Sequence, residues 1–301
     1  RLFGYAGTGK STIAKKLGST AKRGVVYCAF TGKAALVMRR KGCPDASTIH
    51  SSIYTVDETD TSAEPKFVLN DDSPVRTADL VIVDEVSMVD EVLGRDLLSF
   101  WTKVLVLGDP AQLPPVKGEG FFTAHQPDVM LTEIHRQARD NPIIELATRV
   151  REGQRLEIGS YGESKVVQSA SLDRAEFLGA DQVLVGRNAT RESVNRWFRK
   201  QRGYEGETPA IGERLVCLRN DRPKNILNGE LFDVVPKPPR QPGQKKAARL
   251  PDPDAVDLSV KSQDRPGTTI DVRVRREFFT GGSGDLRWDQ RRGYEELTYG
   301  Y

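Results

Sequence analysis

The sequence predicts an α/β fold in which buried parallel strands alternate with helices. Residues 4–11, Gly-Tyr-Ala-Gly-Thr-Gly-Lys-Ser, fit the pattern G-x-x-x-x-G-K-[ST] at every fixed position. Continuous apolar runs within residues 78–85 and 101–108 are typical of parallel strands that are covered on both faces. Beyond residue 205, apolar and polar residues alternate in short segments, as in half-buried strands. The fold class is therefore that of a P-loop NTPase with a small β-rich part.

The phosphate loop predicts a nucleotide site. Its glycines allow backbone N–H groups to point inward around a phosphate, and the helix that follows adds the positive end of its dipole. Lys10 is expected to reach the β- and γ-phosphates of ATP, and the Ser11 hydroxyl is expected to bind Mg²⁺. The motif alone does not choose among kinases, GTPases and motor ATPases. The loop residues expected to bind nucleotide are Gly4, Gly7, Thr8, Gly9, Lys10, Ser11 and Thr12.

Two carboxylates end the apolar run at Asp84 and Glu85. Ligands bind at the carboxyl ends of strands in open α/β sheets. Asp84 is therefore expected to join Ser11 in binding Mg²⁺ and nucleotide, and Glu85 to orient and deprotonate a water that attacks the γ-phosphate. This pair favours hydrolysis. The alternative is that the two acids only cap the next helix.

Two further strand ends carry polar groups. Gln112 follows the run 101–108, and its amide can both donate to a phosphate oxygen and accept from a water, which suits a catalytic sensor of the γ-phosphate. Thr31, Gly32 and Lys33 follow an apolar run at 24–30. That segment is either an ordinary turn between strand and helix or a second phosphate contact made by backbone amides and Lys33.

Composition is compatible with a nucleic-acid partner without requiring one. The 301 residues carry a net charge of +3 and an isoelectric point near 8.7. No apolar run approaches the length that crosses a bilayer, so we expect no membrane partner. Three scattered cysteines, Cys28, Cys43 and Cys217, indicate a reducing, cytoplasmic setting. Because the chain opens at Arg1, just before the loop, we expect upstream sequence that completes the first strand.

The order of these motifs resembles that of superfamily 1B DNA helicases, and most of all the RecD-like branch with its phage relatives. The resemblance adds Thr48-Ile49-His50 to the segments above, and residues 131–137, 141–144 and 149–153 resemble the opening of that family's second motor domain. It implies two RecA-like domains with an inserted SH3-like β-barrel. The implied boundaries are 1–120 for the first domain with an insertion at about 52–78, 121–204 for the second, 205–293 for the barrel, and 294–301 for the return to the second domain.

The resemblance also assigns residues. It implies that Gln112 couples nucleotide state to DNA and that Arg136 acts in catalysis by contacting the γ-phosphate, although Arg136 also suits a solvated helix start. For Asn188 and Arg191, helix capping is an equal alternative to a nucleic-acid contact. The residues expected to bind DNA are Thr31, Gly32, Lys33, Thr48, His50, Asn188 and Arg191.

The implied function is an ATP-driven DNA helicase that moves 5′ to 3′ in replication, recombination or repair. ATP and Mg²⁺ would be its cofactors, and single-stranded DNA, junctions of single- and double-stranded DNA and replication or recombination proteins would be its partners. The enzyme would act as a monomer, and family members continue beyond a Gly-Tyr like that at 300–301 into further ATP-site motifs. The alternatives are a P-loop kinase or signalling NTPase, which leaves Gln112 and Arg136 without a role, and a nucleic-acid-binding module without ATPase activity.

Local patterns in the second half predict individual elements. The apolar run 181–186 predicts another buried strand, and residues 193–200 predict a helix. Asn228-Gly229 lies between two strand-like runs and predicts a tight hairpin. Further strands are expected at 214–218, 256–260 and 269–274.

Overall fold

The computed structural model describes two units of the chain. Contacts divide it into unit 1, residues 1–61 and 65–172, and unit 2, residues 62–64 and 173–301. The described residues are 1–22, 24–57, 66–116, 118–133, 141–221, 223–237, 251–281, 286, 288–291 and 293–301.

Unit 1 is an α/β unit whose strands and helices alternate as the apolar runs predict. Short 3₁₀ helices follow β5 and β6. The elements are β1 (Leu2–Gly4), α1 (Lys10–Gly18), β2 (Val25–Ala29), α2 (Gly32–Arg40), β3 (Ser47–Thr48), α3 (Ile49–Ile53), β4 (Tyr54–Val56), β5 (Phe67–Leu69), β6 (Leu80–Asp84), α4 (Glu91–Leu98), β7 (Val104–Gly108), β8 (Val129–Leu131), α5 (Pro142–Arg151), β9 (Gly159–Tyr161) and β10 (Ser164–Val166).

The main sheet of unit 1 has the strand order β3-β2-β6-β7-β1-β8. Every neighbouring pair in it is parallel. Its side chains alternate between two buried clusters, as the two-residue period of a strand requires. On β6, for example, Val81 and Val83 lie in one cluster and Ile82 in the other. The parallel sheet with both faces covered confirms the predicted P-loop NTPase fold class.

The helices that leave this sheet begin at capping residues. Thr31 accepts a hydrogen bond from the Ala34 N–H at the start of α2, and Asp90 accepts one from Leu93 at the start of α4. Helix α1 instead follows Gly9, whose φ of 85° is left-handed. Within the described ranges, we find no helix with the length and apolar content needed to cross a membrane.

A hairpin projects from unit 1 inside the predicted insertion. Strands β4 and β5 pair antiparallel, with Tyr54 opposite Leu69 and Val56 opposite Phe67. The segment implied as an insertion at about 52–78 therefore contains an antiparallel hairpin. Phe67 is 56% exposed, so the hairpin presents an apolar side chain to solvent.

Unit 2 is built on an antiparallel sheet. Its elements are α6 (Arg174–Leu178), α7 (Asn188–Gln201), β11 (Arg214–Cys217), β12 (Leu231–Val235), β13 (Ala255–Ser262), β14 (Thr269–Arg275), α8 (Glu277–Thr280), α9 (Trp288–Arg291) and β15 (Leu297–Tyr299). The strand order is β14-β13-β12-β11-β15, and Phe198 of α7 packs in the core of the unit. The strands expected at 214–218, 256–260 and 269–274 are confirmed. The SH3-like barrel and the domain boundaries stay predictions.

Three local predictions for unit 2 are corrected by the structure. Residues 181–186 form no strand, and Leu184 is 88% exposed. An apolar run becomes a buried strand only where another segment pairs with it, and among the described residues none pairs with this run. Helix α7 begins five residues before the predicted start at 193.

The expected tight hairpin at Asn228-Gly229 is also wrong. Gly229 does adopt a left-handed turn, with φ of 81°. However, β12 pairs with β11 and not with residues 225–227, because the Cys217 backbone exchanges hydrogen bonds with Gly229 and Glu230. The turn therefore leads into β12 without joining two adjacent strands.

Candidate nucleotide-binding site

The candidate site lies at the carboxyl edge of the parallel sheet. Because all six strands run in one direction, their carboxyl ends meet at the same edge. Gly4 ends β1, Asp84 ends β6 and Gly108 ends β7. These three strands are adjacent, so the phosphate loop, the acidic pair and the Gln112 segment extend from neighbouring positions.

The phosphate loop is closed by hydrogen bonds to the carbonyls of its first two residues, Gly4 and Tyr5. The backbone N–H and the hydroxyl of Thr8 donate to the Tyr5 carbonyl at 3.3 and 2.8 Å. Lys10 Nζ donates to the Gly4 and Tyr5 carbonyls at 2.6 and 3.0 Å. Gly7 and Gly9 have φ of 79° and 85°, which only glycine adopts readily. The loop thus has the wrapped form expected of a phosphate cradle.

The first glycine of the loop has no room for a side chain. A Cβ at Gly4 would lie 2.6 Å from Thr8 Oγ1 and 2.9 Å from the Leu131 carbonyl. We expect Gly4→Ala to lower the free energy of unfolding by about 1–3 kcal/mol, since the Leu131 backbone must move. Chemical denaturation measures this difference. Gly159→Ala is the control because nothing lies within 4 Å of that Cβ; equal stability of the two variants would contradict the prediction.

Ser11 and Asp84 meet although they are 73 residues apart in sequence. The Ser11 hydroxyl donates to Asp84 Oδ2 at 3.2 Å, and Asp84 Oδ1 accepts from the Glu85 backbone N–H at 2.9 Å. Asp84 is largely buried, whereas Glu85 is accessible to solvent. A hydroxyl and a carboxylate side by side are oxygen ligands of the kind that Mg²⁺ binds. The side chains of Ser11 and Asp84 are therefore suitable ligands for the Mg²⁺ ion that the sequence predicts.

Glu85 occupies a strained position at the end of β6. Its φ and ψ of 57° and 48° are left-handed, which costs energy for a residue other than glycine. The pKa of Glu85 is raised by two effects. The larger is partial desolvation of the carboxyl group, and the smaller is the negative charge of Asp84. The Lys10 charge and a hydrogen bond from Gln112 oppose that rise. Glu85, Lys10 and Gln112 therefore interact in one cluster.

Gln112 is held by two residues that sequence reasoning did not assign. The Ser87 hydroxyl donates to Gln112 Oε1 at 3.4 Å. Asp109 is buried and accepts a hydrogen bond from the Ala111 N–H at 3.0 Å, which shapes the turn before Gln112. An Asp just after a strand and before a proline is a turn signal that identifies Asp109. No comparable signal marks Ser87.

The candidate DNA contacts of the first half lie at the same edge, at the ends of β2 and β3. Thr31 caps α2, and Thr48 caps α3 by accepting from the Ser51 N–H at 3.2 Å. His50 is exposed and its ring centroid lies 5.6 Å from that of Tyr54. Gly32 is buried in the first turn of α2, and Lys33 follows it. The hydroxyls are therefore committed to capping, whereas His50 is accessible.

The remaining predicted residues lie elsewhere. Arg136 falls outside the described residues. Asn188 and Arg191 belong to unit 2, where they lie inside the first turns of α7. The N-cap position of this helix is occupied by Arg187, whose side chain makes no capping hydrogen bond. The capping alternative for Asn188 and Arg191 is thus wrong, and their contact with DNA stays a prediction.

A parallel sheet that carries a phosphate loop, a Ser–Asp pair and a glutamate at one edge defines a P-loop NTPase. The family model for the AAA domain matches residues 1–172. The chain belongs to this AAA domain family, and the order of its motifs resembles that of the RecD-like superfamily 1B helicases.

Two sequence relatives are DNA helicases. The chain is 36% identical over 266 residues to the ATP-dependent RecD2 DNA helicase of Deinococcus radiodurans, covering 78% of this chain and 36% of that protein. It is 34% identical over 168 residues to the ATP-dependent DNA helicase dda of Enterobacteria phage T4, covering 51% of this chain and 38% of that protein. The chain thus spans little more than a third of either relative.

Solved structures share the fold. The Pif1 helicase from Bacteroides in complex with ADP-AlF3 and single-stranded DNA superposes with a TM-score of 0.51 at 22% identity. The match covers 90% of this chain and 69% of that one. Bacteroides Pif1 bound to single-stranded DNA gives a TM-score of 0.50 over the same share of this chain.

Proposed function

We propose that this chain is the ATP-hydrolysing part of a DNA helicase. The observation that carries the proposal is the cluster at the carboxyl edge of the sheet, where Ser11 is bonded to Asp84 and Glu85 to Gln112. The Lys10 charge acts on the same glutamate. A carboxylate base beside a phosphate loop suits deprotonation of a water that attacks the γ-phosphate.

Each side chain then has a defined role. Lys10 and the amides of the loop bind the β- and γ-phosphates of ATP. Ser11 and Asp84 hold Mg²⁺, which when bound neutralises charge on the phosphate oxygens. Glu85 accepts a proton from the attacking water. Gln112 orients that water and links the state of the nucleotide to the DNA-contacting segments, and Arg136 adds positive charge at the γ-phosphate.

We infer that DNA binds along the same edge. Backbone amides at 31–33 together with Lys33 and His50 lie at the ends of β2 and β3, next to β6, which carries the catalytic acids. Asn188 and Arg191 of α7 are further DNA contacts that we propose within unit 2 itself. Because the catalytic acids and the proposed DNA contacts lie at neighbouring strand ends, a change in the nucleotide on hydrolysis can alter the contacts with DNA.

Wider properties of the proposed helicase rest on its relatives and on motif order. Both sequence relatives are named ATP-dependent DNA helicases, and the neighbouring structures contain single-stranded DNA or concern forked DNA. We propose 5′ to 3′ movement on single-stranded DNA, action at junctions, and roles in replication, recombination or repair. We also propose a monomeric enzyme in the cytoplasm of a bacterium or a phage-infected cell.

ATP hydrolysis with and without single-stranded DNA tests the proposal. We expect DNA to stimulate turnover at fixed salt. We expect Lys10→Ala to lower kcat/KM by about 100-fold or more, because the substitution removes the positive charge that stabilises the transferring phosphate. Lys15→Ala, on the next turn of α1, is the matched control and should retain activity within about twofold. Duplexes with 5′ or 3′ tails then test unwinding and polarity.

Each contrary result has a distinct meaning. Turnover that ignores nucleic acid would contradict the helicase and would favour a kinase or signalling NTPase. DNA binding without turnover would favour a binding module. Unwinding only of duplexes with 3′ tails would overturn the proposed polarity and leave the motor intact.

A further inference from the structure

Arg151 stacks on the side chain of the phosphate loop's second residue. The centre of its guanidinium group lies 3.6 Å from the centroid of the Tyr5 ring. Both side chains are half-buried, which limits solvent screening of the contact. A guanidinium group this close to a ring face is attracted by the ring's negative quadrupole.

Tyr5 is also the residue that closes the loop. Its carbonyl accepts the Thr8 N–H, the Thr8 hydroxyl and the Lys10 ammonium group. Its ring and its carbonyl belong to one short, hydrogen-bonded segment, so holding the ring restricts the backbone that orients the loop. Arg151 thereby acts on the segment that positions Lys10.

Helix α5 fixes the position of Arg151 in turn. Arg151 is the last residue of α5, and its Nη2 donates to the Thr148 hydroxyl, one turn earlier, at 2.9 Å. This bond leaves other guanidinium donors available and restrains the side chain beside the loop. A permanent positive charge is thus placed next to a site expected to bind a polyphosphate.

We propose that Arg151 is a positioning residue for nucleotide binding. It holds the phosphate loop through Tyr5 and adds positive charge beside the triphosphate. The inference rests on the proposed function only in that the loop binds ATP. It assigns no role to Arg151 in the chemical step, so removing it changes affinity and leaves the maximal rate nearly unchanged.

Binding of a fluorescent ATP analogue tests this proposal, together with KM and kcat for hydrolysis. We expect Arg151→Gln and Tyr5→Leu each to raise Kd and KM by about 3- to 10-fold, with kcat within about twofold of wild type. The double variant should bind only slightly more weakly than either single variant, because both substitutions break one contact. Arg151→Gln should also reduce the salt dependence of binding, which a purely structural role would not do.

Two controls separate the stack from general effects. Tyr5→Phe keeps the ring and should bind like wild type. Arg149→Gln removes a charge from the same helix, but that side chain pairs with Glu145 at 2.8 Å and lies over Tyr161, away from the loop. Its Kd should stay within about twofold of wild type.

Three results would overturn the inference. The first is a wild-type Kd in Arg151→Gln. The second is an increase in Kd in the double variant that equals the product of the increases in the two single variants. The third is an increase in Kd in Arg149→Gln as large as that in Arg151→Gln. If Arg151→Gln fails to fold by circular dichroism, Tyr5→Leu against Tyr5→Phe decides the same question. Failure of the wild type to bind nucleotide would refute the proposed function as well, whereas normal binding without DNA stimulation would refute only the helicase.

Discussion

Replacing Glu85 by glutamine is expected to lower kcat for ATP hydrolysis by about 10²- to 10⁴-fold. Glutamine keeps the size and the hydrogen bond to Gln112 but accepts no proton from water. Nucleotide affinity should change by less than a few-fold, because the phosphate contacts are assigned to Lys10 and the loop amides. Steady-state turnover and direct binding of ATP measure the two quantities separately.

Glu119→Gln is the control for this substitution, since Glu119 is an exposed acid outside the cluster. It should hydrolyse ATP like wild type. Turnover of Glu85→Gln within about tenfold of wild type would exclude Glu85 as the base and direct the search to another group.

The pH profile of the wild type provides a second test of Glu85. Desolvation and the Asp84 charge raise its pKa, and a general base works only when deprotonated. Turnover should therefore increase with pH through an acid limb that lies above the ordinary glutamate range. This limb should disappear in the residual activity of Glu85→Gln. The same limb in both proteins would assign the titration to a different group.

Replacing Arg199 by methionine is expected to lower the free energy of unfolding by about 3–5 kcal/mol. Arg199 Nε and Nη2 donate to the two oxygens of Glu213 at 2.8 and 3.2 Å, and the Glu213 side chain is 0% exposed. Tyr301 and the Ala210 N–H also donate to Glu213, yet they carry no charge. Methionine therefore leaves a buried carboxylate without a cation, and chemical denaturation measures the cost.

An exposed ion pair provides the control. Arg95 and Glu91 pair one turn apart on α4, with side chains 71% and 65% exposed. Arg95→Met should change stability by less than about 0.5 kcal/mol, because water replaces the lost partner. Adding Glu213→Leu to Arg199→Met should recover part of the loss. Equal stability of the Arg199 and Arg95 variants would contradict the buried-pair account.

The Arg199 cluster was not predictable from sequence. Arg199 also donates to the carbonyls of Gly206 and Thr208, so it links α7 to the segment that enters β11. In the sequence, an arginine near the carboxyl end of a helix is most simply a solvated charge that favours the helix dipole. Its burial depends on where the helix packs, and the helical period alone does not give that.

The sequence by itself determined the features that local chemistry controls. The phosphate loop needs glycines at positive φ, and its residues are consecutive, so Gly4 to Ser11 identify it without knowledge of the fold. The apolar runs that became β6 and β7 predict buried parallel strands, because such strands are covered on both faces. The parallel sheet and the P-loop NTPase class followed from these signals.

Tertiary structure alone decided which distant residues meet. The contacts of Ser11 with Asp84, of Glu85 with Gln112 and of Tyr5 with Arg151 depend on strand order and on where α5 ends. The run 181–186 shows the same dependence, since it has the composition of a buried strand but pairs with no described strand. Hydrogen bonds within a helix or turn join near neighbours, whereas strand pairing and burial join segments that sequence proximity does not specify.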